Sequence, residues 1–262
     1  MLAALDDFAP TAIEERESAV RVFFASRQHR DDARAQLAGR QVSSVAVDVP
    51  DDDWAARSQQ NLTPVTVGRI TVFPDLRPLI SANPESPIPD PYDGSIPIVI
   101  EPSMGFGTGH HATTRLCLTA MQTLDLDGSI VVDVGTGSGI LAIAAARLGA
   151  ARVYAIDVDA DAVQCANDNL ALNPDARNVA FAVADIVSAP MPTADVLVAN
   201  LTGASLVRVA SLLLAAVRSR GAIVVSGIVA TEEGEVRRAF AEAECCQWAQ
   251  EEEWVCLTMK KQ

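Results

Sequence analysis

The run Val132-Asp133-Val134 breaks into three alternating glycines, Gly135-Thr136-Gly137-Ser138-Gly139. No other segment restricts the possible folds as much. Glycine tolerates left-handed backbone, so the segment reads as a strand, a tight turn and the start of a helix. The turn backbone is then open to a ligand near the positive end of that helix. Asp157 closes the next β-branched stretch, twenty-two residues after Gly135. An acid at that place accepts hydrogen bonds from ribose hydroxyls in dehydrogenases and methyltransferases alike. Turn and acid together point to a nucleotide-type cofactor rather than to a plain strand–helix corner.

The spacing separates the two classes. A dehydrogenase carries G-x-G-x-x-G, whereas this chain has G-x-G-x-G preceded by Asp133. That acid would repel a pyrophosphate, and it suits the cationic sulfonium and amino groups of S-adenosylmethionine (SAM). Asp133, Gly135, Gly137 and Asp157 are therefore expected to line a SAM site.

Around this turn, strand and helix patterns alternate. Strands are expected over 129–134, 152–158, 179–184, 195–199 and 221–226, with helices over 140–148, 160–172, 204–218 and 231–244. Thr231 is the expected N-cap of the last helix, ahead of Glu232 and Glu233. Such alternation implies an α/β fold, a Rossmann-like parallel sheet covered on both faces. Segments 247–251 and 254–259 lie so close that only a hairpin can join them, so the last strand should run antiparallel. Residues 1–53 read as a small α+β domain, with strands over 19–25 and 42–49 and a helix over 31–37. Residues 54–93 read as a linker: Arg77 to Asp93 contains five prolines, Pro78, Pro84, Pro87, Pro89 and Pro91. The large domain then occupies 94–262.

Polar residues at the carboxyl ends of strands are the next candidates, because open α/β sheets bind ligands there. Asp185 follows the third strand and can accept from an adenine amino group. Asn200 closes the fourth, where its amide oxygen can accept from a substrate amine and aim the amine lone pair at a methyl group. A cap on the following helix is the lesser reading, and the two are compatible. Glu101, Thr108, Thr113 and Thr114 surround a glycine-containing loop able to fold over a cofactor as a lid. His110-His111 invites a metal reading, but the only other histidine is His29 and no ligand lies at zinc spacing. No metal is expected.

Composition bounds the rest. The 262 residues are 49% hydrophobic, enough for a packed core. The apolar run Leu206–Val217 contains Arg208 and Ser211, as a buried helix would and a membrane span would not. Early acids, Asp6, Asp7, Glu14, Glu15 and Glu17, argue against a secretory signal. Five scattered cysteines form no C-x-x-C pair, so reduced thiols in a cytoplasm are expected. The net charge of −14 opposes nucleic-acid binding and would attract a basic protein.

Three further segments complete a pattern: Ile96-Pro97-Ile98-Val99-Ile100-Glu101-Pro102, Phe106-Gly107-Thr108-Gly109-His110-His111-Ala112-Thr113-Thr114, and Ser226-Gly227-Ile228. With Val132–Gly139, Asp157-Val158-Asp159 and Val198-Ala199-Asn200-Leu201, the chain resembles the PrmA family of ribosomal protein methyltransferases from about Trp54 onward. The resemblance implies a SAM-dependent fold with a terminal hairpin. It implies that Phe106, Gly107 and Thr108 lie at the cofactor, with Thr114, Gly135, Asp157 and Asn200 as contacts. It also implies methylation of lysine ε-amines, and of an N-terminal α-amine, on large-subunit ribosomal protein eleven. Asn200 would be the amine acceptor and the Phe106 loop the wall that excludes water. The N-terminus departs from the family pattern: it opens on Leu2-Ala3-Ala4-Leu5 and lacks the expected first strand of a ferredoxin-like substrate-recognition domain. Methylation of another protein or of a small molecule is the alternative reading. A monomer is expected.

Overall fold

The computed structural model describes residues 10–16, 19–24, 27–38, 44–46, 63–75, 95–101, 109–188 and 191–262. The chain divides into two compact units, Met1–Arg57 and Ser58–Gln262.

In the first unit, β1 (Pro10–Arg16) pairs antiparallel with β2 (Ala19–Phe24), and α1 (Arg27–Ala38) follows. β2 and α1 fall on the strand expected over 19–25 and the helix expected over 31–37, whereas β1 is an additional strand that the sequence reading did not include. Its Glu14-Glu15-Arg16 end carries no apolar alternation, so only the pairing with β2 reveals it. Of the strand expected over 42–49, residues 44–46 have no regular structure and the remainder lies outside the described residues, as does Leu2–Leu5.

The second unit begins inside the expected linker. β3 (Val65–Val67) and β4 (Ile70–Phe73) form a hairpin, and β5 (Ile96–Val99) runs parallel to β4. All four β4 residues are buried, so this segment is core. The neighbouring prolines masked this short segment, Ile70-Thr71-Val72-Phe73. The hairpin turn is tied to α2 (Ala112–Met121) through the C-capping Gln122. Gln122 Oε1 accepts from Arg69 N at 2.7 Å and its Nε2 donates to Val67 O at 2.9 Å.

The main sheet follows from β6 (Ile130–Val134), α3 (Ile140–Arg147), β7 (Arg152–Asp157), α4 (Ala160–Ala171), β8 (Val179–Val183), β9 (Ala194–Asn200), α5 (Gly203–Ala216), β10 (Val217–Val229), α6 (Glu233–Ala239), β11 (Ala243–Glu251) and β12 (Trp254–Lys261). Its seven strands lie in the order β11-β12-β10-β9-β6-β7-β8. The five from β10 to β8 are parallel, and β12 is antiparallel to both of its neighbours, as the short hairpin requires.

Period-two alternation sends successive side chains to opposite faces. Val131, Val196, Val198 and Val224 pack with Leu116 and Met121 of α2 and Leu141 and Ile143 of α3. Val132, Leu197, Ile223 and Val225 pack with Leu206 and Leu213 of α5 and Val236 of α6. Both faces are apolar and both are covered, which is why these strands read as continuous hydrophobic runs.

Two helices end earlier than their patterns suggest. The expected helix over 204–218 stops at Ala216 because Val217 pairs with Ala194 of β9 and starts a long strand. The expected helix over 231–244 is only Glu233–Ala239, because Ala243 already pairs with Lys261. Its N-cap is Glu232 rather than Thr231, and the Glu232 carboxylate accepts from Val229 N at 3.1 Å. Strand pairing overrides helix propensity in both places.

Gly227 sits at an irregularity in β10 with φ +85°. A Cβ there would lie 2.4 Å from the Leu201 carbonyl oxygen, and backbone at that distance cannot swing aside as a side chain can. Gly227→Ala is expected to destabilise the second unit by roughly 2–3 kcal/mol, read as a lower denaturation midpoint in urea.

Candidate functional site

The sheet order reverses at β6, whose neighbours are β9 on one side and β7 on the other. At such a switch point the carboxyl ends of adjacent strands diverge and leave a crevice. A cavity of about 440 Å³ opens there. Val134 from β6, Gly135 just after it, Asp157 from β7, Asp185 after β8 and Asn200 from β9 all line it.

The glycine turn is held by β7. Gly135 N and Thr136 N both donate to Ile156 O, at 2.9 and 3.0 Å, and Gly137 N donates to Asp157 Oδ2 at 2.9 Å. Asp157 Oδ1 accepts from Asp159 N at 3.1 Å. Each carboxylate oxygen retains a lone pair for a further donor. Gly135 has φ +75°, and a Cβ on it would strike the Leu201 side chain at 2.4 Å. Gly135 and Gly137 therefore sit on the cavity wall as bare backbone.

Asp133 does not line the cavity. It is buried beneath the turn, where Oδ2 accepts from Thr136 Oγ1 at 2.7 Å. Its Oδ1 is without a hydrogen-bond partner among the described residues. Burial pushes its pKa up to about 7, opposed by the Thr136 hydroxyl and reinforced by the negative charge of Asp157. Thr114 is likewise buried in α2 and off the cavity wall, its Oγ1 also without a partner among the described residues. Phe106, Gly107 and Thr108 lie outside the described residues. Glu101 is exposed, and its N–H donates to Asn169 Oδ1 at 2.9 Å.

Several wall residues make contacts that the sequence reading did not assign. His111 N-caps α2 by accepting from Thr113 N, and its ring meets Trp254 edge-on at 4.9 Å. Thr113 Oγ1 lies 2.8 Å from His111 Nδ1 and accepts from Asn200 Nδ2 at 3.2 Å. Arg208 and Ser205 stand on the α5 wall. His110 Nε2 bonds the Thr63 carbonyl at 3.0 Å. No group of three potential metal ligands occurs among the described residues.

These residues fit SAM. The loop offers bare backbone to a nucleoside, while Asp157 and Asp185 offer acceptors for hydroxyl and amino groups. Ile156, Val158 and Ile186 offer apolar faces to a base. The buried Asp133 offers a phosphate no countercharge, whereas a cation at the turn would favour its ionised form.

The strand order, the antiparallel terminal hairpin and this cavity define the class I SAM-dependent methyltransferase fold. The crystal structure of a ribosomal protein L11 methylase from Lactobacillus delbrueckii subsp. bulgaricus shares it, with a TM-score of 0.67 over 77% of this chain and 100% of that one, at 24% identity. A model of the family described as ribosomal protein L11 methyltransferase (PrmA) matches residues 5–262. The ribosomal protein L11 methyltransferase of Pelobacter propionicus is 40% identical over 221 residues, 81% of this chain and 68% of the relative. That of Geobacter sulfurreducens is 36% identical over 279 aligned positions, 99% of this chain and 87% of the relative. The chain belongs to the PrmA family, and its cofactor is SAM. The family match extends through the N-terminal unit, beyond the Trp54 limit drawn from motifs alone.

Asp133 keeps its proton in the folded chain to about pH 7 but would lose it near 3.8 when unfolded. Its contribution to stability is therefore complete below about pH 4 and declines as pH rises to 7. Relative to Asp133→Asn, the ligand-free protein should lose up to about 4 kcal/mol across that interval and then level off. Urea denaturation of both proteins at several pH values measures this, and parallel stability curves would contradict it.

Proposed function

We propose that this enzyme methylates amino groups of large-subunit ribosomal protein L11, at lysine ε-nitrogens and at the N-terminal α-amine. The observation that carries the reading is Asn200 at the end of β9, on the wall of the cavity that the glycine turn and Asp157 also line. Bound SAM supplies the electrophilic methyl group. Asp157 holds the ribose hydroxyls, Asp185 the adenine amino group, and Gly135 and Gly137 the nucleoside backbone contacts. Gly107 and Thr108 complete the cofactor site, Thr114 backs it from inside α2 without reaching the cavity wall, and Phe106 excludes water from the reacting end. Asp133 acts from below the turn as the buried acid that favours a cationic ligand.

The acceptor must arrive as a neutral amine. Lysine's reference pKa of about 10.4 leaves roughly one molecule in several thousand neutral at pH 7. Asn200 Oδ1 accepts an N–H from the amine and turns its lone pair toward the methyl carbon. Desolvation in the cavity disfavours the ammonium form. Holding the nitrogen in line can supply much of the rate acceleration, so no strong general base is required.

The net charge of −14 supports a basic protein partner over nucleic acid. The N-terminal unit recognises that partner, and the enzyme acts as a monomer in the cytoplasm. No helix among the described residues is long and apolar enough to cross a membrane.

Incubation with labelled SAM and purified L11 should place label on lysines and on the N-terminal amine; a substrate that stays unlabelled would end this reading. Asp157→Ala should weaken SAM binding at least about tenfold in calorimetry through the lost ribose contact. Because Gly137 also loses its acceptor, a stability loss of roughly 1 kcal/mol should accompany it.

A further inference from the structure

The amide of Asn200 can do its proposed work in only one of its two orientations. With Oδ1 toward the cavity it accepts from an amine; with Nδ2 there it opposes one. Oxygen and nitrogen ends of an amide have nearly the same shape, so packing alone does not choose between them. Something must make the choice by hydrogen-bond polarity.

We infer that His111 and Thr113 form a directional hydrogen-bond relay that sets the orientation of Asn200, so that both are positioning residues for methyl transfer. This rests on the proposed role of Asn200. The direction can be worked out from the far end. A backbone N–H can only donate, and Thr113 N donates to His111 Nδ1 at 3.4 Å. Nδ1 therefore carries a lone pair, and the neutral ring holds its proton on Nε2. The Thr113 hydroxyl, 2.8 Å from the same Nδ1, must then give its single proton to it. Once that proton is engaged, Thr113 Oγ1 can only accept. The Asn200 atom 3.2 Å away is Nδ2, the donor that such an oxygen requires. Oδ1 is left for the cavity that Asn200 lines.

The anchoring end is held in place. The His111 ring packs edge-on against Trp254 at 4.9 Å and an interplanar angle of 66°. Arg115, one turn into the same helix, donates to the His110 carbonyl and pairs with Glu251 of β11. The relay joins the first turn of α2 to the end of β9, elements 87 residues apart in the chain. His111, Thr113, Asn200 and Trp254 all line the same cavity. A helix cap would work as well with serine or aspartate at position 111. An unprotonated ring nitrogen there also serves the Thr113 hydroxyl, which a cap alone does not need.

Two measurements test this, one of them independent of the reaction. Nitrogen-resolved NMR of the intact enzyme should find His111 as the Nε2–H tautomer. The Asn200 side-chain NH2 should exchange slowly in the wild type and faster in Thr113→Val. An Nδ1–H tautomer, or Asn200 protons indifferent to Thr113→Val, would overturn the relay whether or not L11 is a substrate. With labelled SAM and L11, Thr113→Val should lower kcat about tenfold or more, with SAM affinity and Tm near wild type. Thr113→Ser should recover most of the loss. In an Asn200→Ala background, Thr113→Val should have little further effect, because it acts through the missing amide. Independent, multiplying losses would instead mean that Thr113 meets the substrate directly, and the inference would fall. Wild-type enzyme inactive on L11 but showing the expected tautomer would sink the substrate assignment and leave the relay standing.

Discussion

The site depends on how a turn of bare backbone is fastened to the neighbouring strand. Three amides of the turn, those of Gly135, Thr136 and Gly137, donate to Ile156 O and to the Asp157 carboxylate. Those bonds settle where the turn lies over the end of β7. They also bring the acid proposed to hold a ribose against the backbone proposed to meet the same nucleoside. Beneath them, Thr136 reaches down to the buried Asp133. A carboxyl group in that position is disfavoured as an anion until something cationic approaches, and this links the electrostatics of the turn to the kind of ligand it accepts.

Around that fastening, the sheet supplies direction. Parallel strands present all their carboxyl ends on one side, and the reversal of order at β6 leaves space between β6 and β9. Asn200 and Asp157 therefore face one cavity from strands on either side of β6. The antiparallel β12 contributes in a different way: it starts at Trp254, on the cavity wall against His111. In the proposed function the labour is divided, with Asp157 and Asp185 at one set of strand ends holding the donor and Asn200 at another orienting the acceptor.

Much of the second unit was legible in residue order. Long apolar runs with glycine turns and alternating helix patterns could only bury themselves as a two-face-covered parallel sheet, and the two-residue gap before Trp254 could only be a hairpin. Misreadings arose where pairing decided against local preference. Val217 and Ala243 sit in helix-compatible stretches and are nevertheless strand, because β9 and β12 offer them ladder partners. β1 carries too many charges to show alternation, and β4 hid beside a proline-rich stretch. In the site, Asp157, Asp185 and Asn200 stood out because they end strands. Asp133 was read as a cofactor contact, since order along the chain cannot tell a residue on a wall from one beneath it.

The amino-acid sequence by itself determined the class of sheet, the glycine turn, its partner acid and the family, since each is written in local periodicity or in a short motif. Tertiary structure alone decided that Thr113 meets Asn200, that His111 rests on Trp254 and that Asp133 is sealed from water. Those are meetings between side chains from separate elements, created by the strand order and by helix packing. No local pattern encodes them, because hydrogen-bond partnership and desolvation depend on which elements pack together in space.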